Sequence, residues 1–393
     1  MTKRARFSPH SFWIALVFAA AGMAFAAAGD GNGFEATIGP PGNVSTNVLA
    51  PFSRDFNRPG NILISDQFNN RVIEIGPAGN IVWSFGLGPN DVSASSVVGV
   101  NDAQRVGVRT LMAGTGAPPG TEPGCPAGCP DNRVILVNPA GHIEWQYGQF
   151  GVTGAGPNQL NTPVQATWLP NGHVLVTDQG NQRVIEVDRD HNSTWQYGTT
   201  GVSGSGANEL NNPNSAELLE NGHVLIADEN NNRVIEVDRT GAIGGTIFAT
   251  FTAKGTTSGV AFASRLADGN TLITDSNNSR IVEVDSGDAV VWEYFTNTGA
   301  GSNPAPLPTR AIRLRNGDTI ISDQFNHRVL IVDHEKNIVA SWGTLNTPGF
   351  GTSNANQGLN GPYDAKVIGD FTGLTPPHDN DHDADDPLGG RHP

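Results

Sequence analysis

Three arginines, Arg105, Arg265 and Arg313, and one tryptophan, Trp168, fall at one alignment position in near-copies of a segment that recurs along this 393-residue chain. A guanidinium presents forked donors that match carboxylate, sulfate or phosphate, and an indole beside it supplies an apolar wall. Together they predict an anion-binding patch if the fold gathers them. The competing expectation is that each arginine pairs with a carboxylate such as Asp55, Asp102 or Glu217, or with a neighbouring segment, and serves construction alone.

The two cysteines, Cys125 and Cys129, stand in CPAGC, and this short Pro/Gly-containing ring is consistent with a disulfide in an oxidising compartment. A zinc site would need two further ligands, and no histidine is near them in sequence. The chain has no G-x-S-x-G elbow and no H-E-x-x-H pair. The glycine-rich stretches GVTGAG and GVSGSG lack the Lys-Ser/Thr start of a phosphate-binding helix. The sequence therefore specifies no metal, no cofactor and no recognisable catalytic set.

The elements that must position these residues are repeats. HVLVTDQGNQRVIEVD at 173–188 returns as HVLIADENNNRVIEVD at 223–238, and again in related form from Asn61, Asn270 and Asp318. One unit reads as four strands: PVQATWL (a), a turn at Asn171-Gly172, HVLVTD (b), a QGNQ loop, RVIEVD (c) and STWQYG (d). Starts near Pro51, Gly99, Pro163, Pro213, Val260 and Pro308 give six units. A four-stranded period of about 40 to 50 residues predicts an all-β fold, a β-propeller of six four-stranded blades. GFEATIG at 33–39 resembles a strand d and LNGPYDAKVIGD at 359–370 a strand a, so the termini either fasten the ring or make a thin seventh blade.

Recurrence separates construction from chemistry, because a residue found in every blade serves what all blades share. Asp66, Asp178, Asp228, Asp275 and Asp323 end strand b, while Arg71, Arg133, Arg183, Arg233, Arg280 and Arg328 begin strand c, which predicts loop-fixing ion pairs. Trp83, Trp145, Trp195, Trp292 and Trp342 recur on strand d as packing residues. His142, His173, His191, His223 and His334 fall on a-to-b or c-to-d turns of different blades, and His327 alone reaches the opposite face. Two features break the symmetry. Blade 2 carries the insertion TGAPPGTEPGCPAGCPD with Gly114 in place of the repeated Asp, and the Trp168 slot holds arginine in blades 2, 5 and 6, with Phe56 aligned to it in blade 1. The insertion is either a binding loop or an ornament.

The phrase P-x-x-A-x-x-L-x-N-G-H-V-L-V-x-D-x-x-N-x-R-V-I-E-V-D, followed by W-x-Y-G and a Gly-rich linker, resembles NHL-type six-bladed β-propellers over residues 34–374. A more distant likeness extends to peptidyl amidating lyases and aryl-sulfate sulfotransferases. The first kind implies a binding platform. The enzymes imply central histidines, for zinc or as sulfate acceptor, and strand a of this chain has none in any unit.

At the N-terminus, Lys3, Arg4 and Arg6 precede an apolar stretch from Phe12 to Ala28 with an Ala24-Phe25-Ala26 cleavage pattern, so residues 1–26 are expected to be a secretory signal. That leaves no transmembrane anchor after cleavage and places the protein in a periplasm or outside the cell. Residues 375–393, with HDNDHDADD, read as an acidic disordered tail. A net charge of -15 without a basic run disfavours nucleic acid. The sequence thus predicts an exported binding module for a protein, peptide or small anionic ligand; the alternative is an exported propeller enzyme, lyase- or sulfotransferase-like, with an unrecognised site.

Overall fold

The computed structural model describes residues 53–350 and 358–376. They form six four-stranded antiparallel sheets arranged as the blades of a β-propeller. Each is a meander because its short strands are joined by glycine or asparagine turns, and each buries apolar side chains on both faces between its neighbours. The expected leader at 1–26, the GFEATIG segment and most of the expected tail lie outside the described residues.

Strands are numbered β1 to β24 along the chain. Blade 1 contains β1 (Ile62–Asp66), β2 (Arg71–Ile75) and β3 (Ile81–Phe85), and its innermost strand is β24 (Pro362–Val367), the last in the chain. This corrects the assignment of strand a of blade 1 to the segment near Pro51. The residues from Arg54 to Asn57 form turns, and β24 pairs antiparallel with β1 in their place. One sheet built from both ends fastens the ring, so six blades close it.

The other innermost strands are β4 (Val100–Val106), β8 (Pro163–Trp168), β12 (Pro213–Leu218), β16 (Val260–Arg265) and β20 (Pro308–Arg313). Their side chains alternate between two destinations, as a strand's period of two requires. One row is Ala103, Ala166, Ala216, Ala263, Ala311 and Ala365, all buried. These are the alanines of the repeated phrase, small where adjacent blades converge. The other row contains Asp102, Gln165, Ser215, Arg310 and Asp364 and lies along the axis.

Repeated polar residues fix the loops. Arg71, Arg183, Arg233, Arg280 and Arg328 each place Nε at 2.7 to 2.8 Å from the aspartate that ends strand b of the same blade. In blade 2 the carboxylate comes instead from Asp131, 2.5 Å from Arg133 Nε. Gly114 is the consequence: a Cβ there would stand 2.5 Å from Asp131 Oδ2. The inserted segment lengthens the hairpin of β5 (Arg109–Ala117) and β6 (Cys129–Val137), is closed by a Cys125–Cys129 disulfide, and folds back so that Glu122 accepts a 2.6 Å bond from Asn70 of blade 1.

The strand-d tryptophans join blades. Trp83, Trp145, Trp195 and Trp292 donate Nε1–H to the carbonyls of Pro139, Arg189, Gly244 and His334, each on the c-to-d turn of the next blade. Trp342 differs from the sequence alignment. It pairs with Val329, the place held by Phe85, Tyr147 and Tyr197 elsewhere, and Ala340 takes the tryptophan position.

Candidate functional site

The arginines singled out by their shared slot stand at three separate seams between blades. Arg105 Nη2 lies 2.6 Å from Glu74 Oε2, Arg265 Nη2 lies 3.0 Å from Glu236 and Arg313 Nη2 lies 2.9 Å from Glu283, each glutamate on strand c of the preceding blade. Each guanidinium also stacks on an aromatic ring of that blade: Trp83 and Phe56, Phe251, or Trp292. Their partner on strand b of their own blade is always a threonine, Thr110, Thr271 or Thr319.

Where strand c carries no glutamate, the next slot is apolar. Leu136 precedes Trp168, which is buried among Leu136, Trp145 and Val174, and Ile331 precedes Val367. Blade 3 has Glu186 followed by Leu218, and Arg239, from the c-to-d turn of blade 4, supplies the cation. Phe56, which is not on an inner strand, lies beneath Arg105 and beside Trp83. His173 and His223 belong to it as well, holding Glu186 and Glu236 through Nδ1 at 2.7 and 2.8 Å. His327 sits on the opposite face, where the Gly361 N–H donates to its Nδ1 at 3.1 Å, and burial lowers its pKa to about 4, so it is neutral.

The axis is polar and closed. Inner strands expose an unpaired edge there, and side chains of the adjacent blade satisfy it: Ala166 N–H donates to Asp102, Trp168 N–H to Gln104, Ala216 N–H to Gln165 and Ala103 N–H to Asp364. Between them, Arg310 lies 3.1 Å from both Asp102 and Asp364, and Lys366 Nζ contacts the same two carboxylates, at 2.6 Å for Asp102. Asp102, Arg310 and Asp364 are about 1% exposed. Burial opposes charge on each; the pairing outweighs it for Asp102 and Arg310, whereas for Asp364 burial, with the neighbouring Asp102, keeps the pKa above the usual carboxylate range.

At the turn-face end the chain's last described residues cross the axis. Thr375 donates N–H and Oγ1–H to Glu217 Oε2 at 2.8 and 2.7 Å, and its carbonyl accepts Gln104 Nε2 at 3.2 Å. Thr375, assigned from sequence to a disordered tail, is thus buried and acts as a plug. Beside it lies a cavity of about 460 Å³. Its polar floor comprises Asp102, Gln104, Glu217 and Lys366, and Val108, Ile368, Phe371 and Leu374 supply apolar walls. Of the sequence-predicted site residues, Arg105 lines this cavity, whereas Arg265, Arg313 and Trp168 do not.

The surroundings shift two carboxyls that share the cavity in opposite directions. For Glu217, burial pushes the pKa above the usual carboxylate range, against the hydrogen bonds of Thr375. For Asp102, burial also opposes ionisation, but Lys366 and Arg310 together hold the pKa below the usual range. Of the two, Asp102 is thus the more readily ionised and Glu217 the more readily protonated. Sequence reasoning had Asp102 and Glu217 only as partners for the arginines, and it missed Gln104, Lys366 and Thr375. The signal for Gln104 and Lys366 was the other row of strand a, one residue from the slot of Arg105 and Val367; Thr375, beyond the last strand, had none. Among the described residues no group of three or more His, Cys, Asp or Glu is placed to hold a metal ion.

No family model matches the chain, and no curated protein matches it in sequence. Solved structures do resemble it. A Bacteroides caccae protein of unknown function superposes with a TM-score of 0.51 at 15% identity, covering 72% of this chain and 93% of its own. A virginiamycin B lyase from Staphylococcus aureus gives 0.46 at 15% identity over 74% and 85%, and the WD40 β-propeller domain of Doa1 gives 0.44 at 12% over 75% and 86%. At such identities the likeness is one of fold, so the NHL-type resemblance rests on the repeated phrase, and what the chain shares with solved proteins is the β-propeller.

Proposed function

We propose that the protein is an exported binding module whose ligand, a small molecule of mixed polarity, sits in the turn-face cavity beneath the C-terminal segment. The observation that carries this reading is the cavity itself. Its volume of about 460 Å³ falls in the range of small-molecule pockets, and a few converging polar groups meet apolar walls. The lining cations, Arg105 and Lys366, are already paired with Glu74, Asp102 and Asp364. An anionic ligand would have to displace those carboxylates, so a neutral ligand able to hydrogen-bond Gln104 and Glu217 suits the site better. Export is supported by the leader-like N-terminus, and the disulfide is compatible with an oxidising compartment.

A thermal-shift screen of small neutral molecules tests the reading, since a ligand selective for the folded state raises apparent stability. Val108→Trp, at a partly exposed turn lining the cavity, should abolish the shift while leaving the unliganded melting temperature in place. A hit that stabilises this variant as much as wild type would place its site elsewhere.

The contrast between Asp102 and Glu217 favours a second reading, an acid–base enzyme using the same cavity. Two carboxyls whose environments drive their protonation apart are suited to base and acid roles. Here Asp102→Asn and Glu217→Gln would each abolish turnover of a cavity ligand without abolishing its binding, whereas a binding module shows no turnover to lose.

A further inference from the structure

At the other end of the axis, the 3-10 turns after strand b begin with Gln67, Gln179, Glu229, Ser276 and Gln324. These side chains meet around the mouth. Gln324 donates to Gln67 at 2.7 Å, Gln67 to Asn101 at 2.7 Å and Gln179 to Glu229 at 3.4 Å. Only blade 4 places a charge there. Glu229 Oε2 accepts the amides of Asn212 and Asn214 at 2.8 and 2.9 Å, and its other oxygen accepts no hydrogen bond from a described residue. No Arg, Lys or His among the described residues forms an ion pair with it.

The orientation of Asn214 is fixed from across the ring. Tyr363 of blade 1 donates its hydroxyl to Asn214 Oδ1 at 3.1 Å, which directs the Asn214 amide nitrogen at Glu229. The carboxyl is thus gripped on one oxygen by neutral donors and left with the other free at the mouth. Burial, with no cation to oppose it, raises its pKa above the usual carboxylate range. The aspartates that end strand b are each compensated by an arginine, and this glutamate, which directly follows one of them, has no such partner among the described residues.

We propose that the loop-face mouth of the ring is a second binding site, for an organic ammonium group, with Glu229 as its counter-ion. An ammonium supplies the missing positive charge to the free oxygen and has two further N–H donors for the amide-rich rim. The site is independent of the turn-face cavity, from which it is separated by the axial cluster of Asp102, Arg310, Asp364 and Lys366. Binding ionises Glu229 more fully, so it releases protons and weakens on acidification.

The test is calorimetric titration of putrescine and of a lysine-containing tripeptide into wild type, Glu229→Gln and Glu220→Gln. Glutamine already occupies the slot of Glu229 in blades 1, 3 and 6, so the first variant should keep its melting temperature. Glu220, an exposed acid, controls for the general acidity of the protein. Wild type and Glu220→Gln should bind at least one probe equally, Glu229→Gln at least tenfold more weakly, and succinate should bind to none. The enthalpy in wild type should vary with buffer ionisation heat because protons are released. Binding by putrescine alone assigns a small amine, and binding by the tripeptide assigns a peptide amine. No binding of either probe by wild type at millimolar concentration, equal binding by Glu229→Gln, or equal weakening by Glu220→Gln overturns the proposal.

Discussion

The seam pairs make a prediction that the protein has already written in its own repeats. Glu283 and Arg313 join blades 5 and 6, with side chains 9% and 12% exposed and a 2.9 Å contact, and Glu283 is otherwise held only by Asn270 at 2.6 Å. Removing one partner of a fully buried pair costs about 3–5 kcal/mol because the other charge is stranded. The residual exposure and the Asn270 bond reduce this, so Glu283→Ile or Arg313→Val alone should cost about 2–3 kcal/mol, part of it from the Arg313 stack on Trp292. The double variant reproduces the pair Ile331 and Val367 that stands in the equivalent slots of blades 6 and 1. It should lose less than about 1 kcal/mol, because an apolar pair of fitting shape replaces a buried ion pair at little net cost. Urea unfolding of the four proteins gives the coupling energy as a double-mutant cycle, expected to be at least about 2 kcal/mol. If the double variant is as unstable as the sum of the two singles, the seams are not interchangeable modules and the argument fails.

Glu122 is raised by burial to about 8 from an ordinary 4.5, with one bond from Asn70 and no cation. Its folded pKa exceeds its unfolded one, so its protonated form stabilises the fold below pH 4.5, and that contribution is lost as pH rises towards 8. Glu122→Gln should therefore raise stability at pH 8 by up to about 4 kcal/mol and change little at pH 4.5, as melting curves at both values would show. Gly114→Ala should destabilise by about 1–3 kcal/mol, since its Cβ meets Asp131, and Gly114→Asp combined with Asp131→Ala should recover most of this by restoring the arrangement of the other blades. Chemical denaturation of wild type and the two variants compares them. Cys125→Ser should cost about 2 kcal/mol or less because the ring closed by the disulfide is short, and intact-mass analysis of the wild type after alkylation without reductant should show no labelled thiol.

Much of this architecture was legible from local pattern. The repeated phrase located the strands apart from the inner strand of blade 1, the Asp and Arg of five b-to-c loops announced their own pairing, and the strand-d tryptophans declared themselves as packing. Each is a short-range relation, fixed by a turn or a single hairpin register. Trp342 was misplaced because the c-to-d turn of blade 6 keeps the register of the other blades while its tryptophan stands two residues further along the strand, directly before Gly343, in the slot of Tyr147 and Tyr197. Gly114 was visible as an exception, but its cause was not, since Asp131 supplies the missing carboxylate from the other strand of the hairpin.

The sequence by itself determined an all-β ring of repeated meanders, with an acidic composition and a loop-fixing pair in five blades, because those properties are summed over many similar segments. The tertiary structure alone decided which end of the chain supplied the last inner strand, since Pro51 and Pro362 each begin a plausible one and only ring closure chooses between them. It also decided the direction of the inner-strand side chains. A shift of one residue along a strand moves a side chain to the opposite face, so Arg105, Arg265 and Arg313, aligned but one position from the axial row, were sent to three seams, while Asp102, Gln104, Glu217 and Lys366 reached the centre.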